Sequence, residues 1–180
     1  ILLYNPESGE TERKSFGELF RSLGKILINA RLMALTIIIA GFWTVQQQLY
    51  ATMPKYVIRT VGESARPEWI ANVNPLVVVI CVIFVTQWMR HKKAITSMTI
   101  GMFIMPFSAF AMSLGPWLND AFGSSIMGLH PFTFMLVVGI ALQGLAECFI
   151  SPRFLEYFSL QAPKGEEGVY LGFSHLHSFF

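Results

Sequence analysis

One acidic side chain stands deep in an apolar run. Glu147 follows an uncharged stretch from Ala121 to Ala146 and precedes Cys148, Phe149 and Ile150. An ionised carboxylate at membrane depth is expensive, so it must face a protein cavity, find a partner or hold a proton. Gln143, Glu147 and Ser151 recur at i, i+4 spacing and share one helix face, with Gly139 and Gly144 keeping that helix slim. A carboxyl carried between a dry environment and a cationic one takes up and releases a proton. The competing reading is a structural salt bridge, or a glutamate near a helix end that reaches water.

Other polar residues interrupt the apolar runs. Trp43, Thr44, Gln46, Gln47 and Gln48 form a cluster. Three successive glutamines cover most of a helix circumference, so at least one faces something polar, and Trp43 shares a face with Gln47. Packing, an interhelical hydrogen bond and ligand contact all stay open for them. Asn72-Val73-Asn74-Pro75 reads as a helix start, with Asn74 as the cap and Pro75 as the first helical residue. An asparagine there can also touch a ligand. Arg153 and Glu156 predict a local ion pair near the membrane surface. His175 and His177 point to different faces and predict no metal pair, while Cys81 and Cys148 lack any CxxC spacing and read as small buried residues. Met98, Met102 and Met105 with Phe103 and Phe107 read as packing or lipid-facing groups. No GxSxG, HExxH or glycine-rich phosphate loop is present, which argues against an enzyme.

These residues need apolar helices to hold them. Hydrophobic residues make up 53% of the chain and charged residues 13%, about half the charge of a soluble domain. A net charge of +2 without a basic stripe predicts no nucleic-acid partner. Four windows free of Lys, Arg, Asp and Glu run from Leu32 to Pro54, Trp69 to Met89, Ala94 to Asn119, and Ala121 to Ala146. Each is long enough to cross a bilayer, and in lipid such runs must be helical. The fourth is expected to begin near Pro131 and to continue through Glu147 towards Leu160. A fifth run starts after Gly168 with Val169, Tyr170, Leu171 and Phe173. The expected class is an all-α integral membrane protein whose partner is the lipid bilayer.

Basic residues set the orientation. Arg13, Lys14, Arg21, Lys25, Arg31, Arg90, Lys92, Lys93, Arg153 and Lys164 fall on one side, against Lys55, Arg59 and Arg66 on the other. That asymmetry predicts a cytoplasmic N-terminal segment. Residues Asn5 to Lys14 read as a polar linker. From Ser15 onward, Phe16, Leu19, Phe20, Leu23, Ile26 and Leu27 recur at helical spacing, and Ser15 with Glu18 makes a capping box. Residues 1–31 are therefore expected to be a linker and amphipathic lead-in helix, and 32–180 a transmembrane bundle. The start at Ile1 and the end at Phe179-Phe180 predict that sequence is missing at both ends.

The residues resemble a known family. Glu147-Cys148-Phe149-Ile150-Ser151-Pro152, followed by Ala162-Pro163, is similar to the tenth helix of the proton-dependent oligopeptide transporters, where E-x-x-x-S-P precedes A-P. Phe42-Trp43 before Gln46-Gln47-Gln48 resembles the seventh helix of that family, and Asn74-Pro75 resembles the N-P opening its eighth. The resemblance implies a partial major facilitator fold, helices seven to ten and the start of eleven. It implies proton-coupled symport of di- and tripeptides across a plasma (inner) membrane by alternating access. It implies no cofactor beyond the proton gradient, with the missing N-terminal half of the protein as partner. Substrate contacts would come from Trp43, Gln47, Asn74, Glu147 and Ser151, with Glu147 coupling protons and interacting with the substrate's amino end or a lysine of the missing half.

One departure stands out. Gln47 occupies a position where many members carry glutamate, and glutamine cannot take up a proton. Arg153 and Glu156 replace neutral residues of the bacterial peptide carriers, and the run from Leu155 to Phe158 with Gln161-Ala162-Pro163 is nearer the plant branch. A carrier for nitrate or another small solute is the alternative this raises. A membrane-embedded enzyme and a channel or scaffold subunit are more distant.

Overall fold

A computed structural model describes residues 16–62, 65–123, 125–126 and 128–176. The linker 5–14, Ser15 of the expected capping box and His177 lie outside them. Nine helices follow one another among the described residues: α1 (Phe16–Ile28), α2 (Ala30–Ala51), α3 (Met53–Val61), α4 (Pro67–Ala71), α5 (Val73–Met89), α6 (Ala94–Ser113), α7 (Gly115–Phe122), α8 (Pro131–Gln161) and α9 (Glu167–Ser174). Four stretches are long and apolar enough to cross a membrane: α2, Pro67–Met89 (α4 with α5), α6 and α8. The chain is an all-α membrane protein.

Local chemistry sets the boundaries. Asn29 stops α1 and caps α2, its Oδ1 accepting from the backbone N–H groups of Arg31 at 3.2 Å and Leu32 at 3.3 Å. Pro131 opens α8 as expected, and His130 caps it by accepting from the Phe132 N–H. Gly62 ends α3 with φ 114, a left-handed value open to glycine.

Two expected spans are broken. The first window divides at Thr52, where Pro54 suits the first turn of a new helix, giving α3. The third divides at Leu114, and Gly115-Pro116 starts α7, so the span ends at Ser113 rather than Asn119. The second stretch differs in another way. Asn74 does not cap it: the chain is already helical from Val73, and Asn72 links α4 to α5 without a side-chain cap bond. The fifth helix begins at Glu167, just before the expected position.

Helix α8 is the pillar. Its most apolar window is 56% buried, whereas that of Pro67–Met89 is 17% buried. Leu76, Val79, Ile80, Ile83 and Phe84 of α5 and Phe103, Phe107 and Phe110 of α6 are exposed, forming stripes suited to lipid. Met98 and Met105 turn inward from α6 while Phe103 and Phe107 turn out. The main core joins Ile26, Leu32, Ile39, Phe42, Met98, Met105, Ala146, Ile150, Phe154 and Phe158 to Tyr170 and Phe173 of α9.

Candidate functional site

Small residues and hydroxyls fix how α8 is rotated. On its α6 side, Ser97 Oγ donates to the Phe149 carbonyl at 2.8 Å and Ser108 Oγ donates to the Gly139 carbonyl at 2.9 Å, both fully buried. A Cβ on Gly101 of α6 would lie 2.8 Å from the Ala146 carbonyl oxygen, so the backbones approach as only glycine permits. On its α5 side, a Cβ on Gly144 would lie 2.8 Å from Asn74 Oδ1 and 3.0 Å from the Asn74 carbonyl oxygen. Held on both sides, α8 presents Glu147 towards α2.

There the carboxylate meets two amides. Glu147 Oε2 accepts from Gln46 Nε2 of α2 at 3.0 Å and from Asn74 Nδ2 of α5 at 3.2 Å. Gln46 is 1% exposed and Asn74 5%, whereas Glu147 is half-buried. Three helices, distant in sequence, close on one carboxylate oxygen. No cation among the described residues forms an ion pair with Glu147. The opposite atoms of the clasp, Gln46 Oε1 and Asn74 Oδ1, are buried without hydrogen-bond partners, as is Gln143 Oε1 one turn earlier on α8. An unpartnered buried acceptor costs about 1–3 kcal/mol, and at Gln46 and Asn74 the bonds that the NH2 groups donate to Glu147 are set against that cost.

A cavity of about 400 Å³ opens between α2, α3, α6 and α8. Gln143 lines it with Gln48, Thr52, Tyr56 and Ser113 on otherwise apolar walls that include Leu49, Met112 and Leu136.

The remaining expected residues lie around this node. Trp43 is half-buried, edge-on to Phe42 at 5.7 Å between ring centroids. Ser151 is half-buried one turn beyond Glu147. Gln47 is exposed and makes no hydrogen bond to Glu147; its neighbour Gln46 does. Gln46 is the residue that sequence reasoning passed over. A signal for it exists, since Ile39, Phe42, Gln46, Leu49 and Met53 repeat at helical spacing and are all buried. Arg153 pairs with Glu156 as expected and is itself buried.

A model of the POT family (PTR2) matches residues 14–180. The chain belongs to the POT family. No curated protein and no solved structure matches it significantly. Proton-coupled, peptide-type transport is the business of this family, which is one of transporters and not of enzymes. In this POT-family chain the apolar helices are membrane spans, and the Glu147 clasp lies where three of them meet.

Proposed function

We propose that this POT-family chain supplies the C-terminal helices of a proton-coupled symporter for di- and tripeptides, with Glu147 as the proton-coupling acid. The observation that carries the reading is the neutral clasp: Gln46 and Asn74 donate to one oxygen of Glu147, and no cation pairs with it among the described residues. Amide groups serve either protonation state, because an amide that donates to a carboxylate can turn its oxygen to accept from the protonated acid. Glu147 is then free to exchange its proton for a cationic partner, the amino end of the substrate or a lysine of an N-terminal half. Trp43, Asn74 and Ser151, and Gln47 on its exposed face, complete the substrate contacts.

Coupling follows from differential binding. The two halves of the transporter rock around a midplane site, and substrate and proton together favour one of the two access states. In this arrangement the protein is a multi-pass plasma (inner) membrane protein with residues 1–31 on the cytoplasmic side. Gln47 in place of an acid favours a second reading, a carrier of the same family for nitrate or another small solute.

Uptake in vesicles containing the full-length protein separates the two. Under an inward proton gradient, accumulation of a neutral dipeptide supports the peptide reading. Accumulation of nitrate with no dipeptide uptake overturns it.

A further inference from the structure

Helix α1 carries an apolar face that the bundle covers only in part. Ser22 and Ile26 are buried, and Ile26 joins the core with Phe158, Tyr170 and Phe173. Leu23 packs at the edge of that core. Phe16 is 81% exposed, Phe20 72% and Leu27 55%. At 3.6 residues per turn these three side chains fall within about 40° of arc. Arg21 and Lys25 are exposed and lie about 100–140° round the helix from Phe20. Arg31 is exposed at the start of α2, and the sequence places Arg13 and Lys14 just before α1. One face of α1 is thus docked on the bundle, the next is aromatic and open, and the next carries Arg21 and Lys25 with Ile28 and Glu18 beside them.

We propose that α1 lies in the interface of the cytoplasmic leaflet, with Phe16, Phe20 and Leu27 in the acyl boundary and Arg21 and Lys25 on anionic lipid headgroups. Charge complementarity selects this occupant. A zwitterionic surface would satisfy the aromatic stripe but offer the adjoining basic residues no net negative potential, whereas each cation near an anionic surface strengthens partitioning about fivefold. The chain geometry agrees. The break at Asn29 frees α1 from the axis of α2, while the contacts of α1 with α2 and α9 keep it beside the spans. The proposal rests on the cytoplasmic placement of residues 1–31 given above, but not on any choice of substrate.

The test uses the full-length transporter in vesicles of phosphatidylcholine alone or of phosphatidylcholine and phosphatidylglycerol in equal parts. A fluorophore is attached at Phe20→Cys or, as a control on the polar side, at Lys25→Cys. Brominated acyl chains should quench the label at position 20, more strongly in the anionic vesicles, while acrylamide in the water should quench the label at position 25. Arg21→Gln with Lys25→Gln should erase the difference between vesicle types at position 20. Three results overturn the proposal: quenching at position 20 by acrylamide alone, protection there from both quenchers because protein covers the face, or equal lipid quenching in both vesicle types. The readout needs no transport, so it fails or succeeds independently of the proposed function.

Discussion

Gly144→Ala should uncouple the Glu147 clasp by pressing on Asn74, without substituting any residue of the clasp. A Cβ at this position lies 2.8 Å from Asn74 Oδ1, 3.0 Å from the Asn74 carbonyl oxygen and 3.2 Å from Val77 Cβ. Ordinary contact begins at 3.4 Å, so the nearest atom must retreat by about 0.6 Å. Two of the three obstructions are a backbone carbonyl and a Cβ, which cannot rotate aside, so α5 itself must move. The Asn74 to Glu147 bond is already 3.2 Å long. Moved by the roughly 0.4 Å that the Asn74 carbonyl must give, it reaches about 3.6 Å, beyond hydrogen-bond range. Overpacking of this kind costs about 1–3 kcal/mol of stability. A lost interhelical hydrogen bond in a membrane is worth about 0.6–1.7 kcal/mol, or about three- to twentyfold in a coupled rate.

The assay pairs a thermal melt of the full-length protein in detergent with proton-driven uptake per folded molecule. Gly139→Ala is the control, since its Cβ meets Met112 Cγ at 2.4 Å and the Ser108 carbonyl oxygen at 2.9 Å on the α6 side. Both variants should melt earlier, and only Gly144→Ala should lower uptake per folded molecule. In an Asn74→Ala background the uptake effect of Gly144→Ala should largely vanish, because the bond it breaks is already gone. Equal uptake losses at Gly139 and Gly144, or a Gly144→Ala protein normal in both assays, would refute the steric account.

Other expectations follow from the same geometry. Gln46→Leu should lower proton-driven uptake by about three- to twentyfold, whereas Gln47→Leu should leave the clasp intact and cost less; the reverse order would mean that the exposed glutamine is the coupled one. Ser97→Ala and Ser108→Ala each remove a buried hydroxyl that ties α6 to an α8 carbonyl. Each should cost about 0.6 kcal/mol in a melt with uptake per folded molecule unchanged, and loss of uptake without loss of stability would count against a purely structural role.

Much of this was legible in the residues. Four charge-free runs announce the spans because lipid leaves a backbone no alternative to a helix, and Glu147 announces itself as the charge that such a run should not contain. Pro131 marks the start of α8 because its fixed φ suits a first helical turn, with His130 before it as the cap. What escaped was set by distant partners or by continuity. Asn74-Pro75 has the local form of a helix start, but the amide of Asn74 is taken by a carboxylate on another helix. Residue spacing within α5 carries no trace of that bond. Among Gln46, Gln47 and Gln48 the choice depends on which face of α2 meets α8. The buried stripe from Ile39 to Met53 encodes it only when all its members are read together. The breaks at Thr52 and Leu114 hide inside apolar runs, because hydropathy does not register a change of helix axis. Pro54 and Pro116, each in the first turn of a new helix, were the available signals.

The central claim is that protons move with substrate through Glu147. A pH-sensitive dye sealed inside vesicles bearing the full-length protein reads this directly when a dipeptide is added outside. The wild type should acidify the lumen as the dipeptide enters. Glu147→Gln, expressed and folded to the same level, should give no dipeptide-driven acidification. Acidification by Glu147→Gln at the wild-type rate would contradict the account.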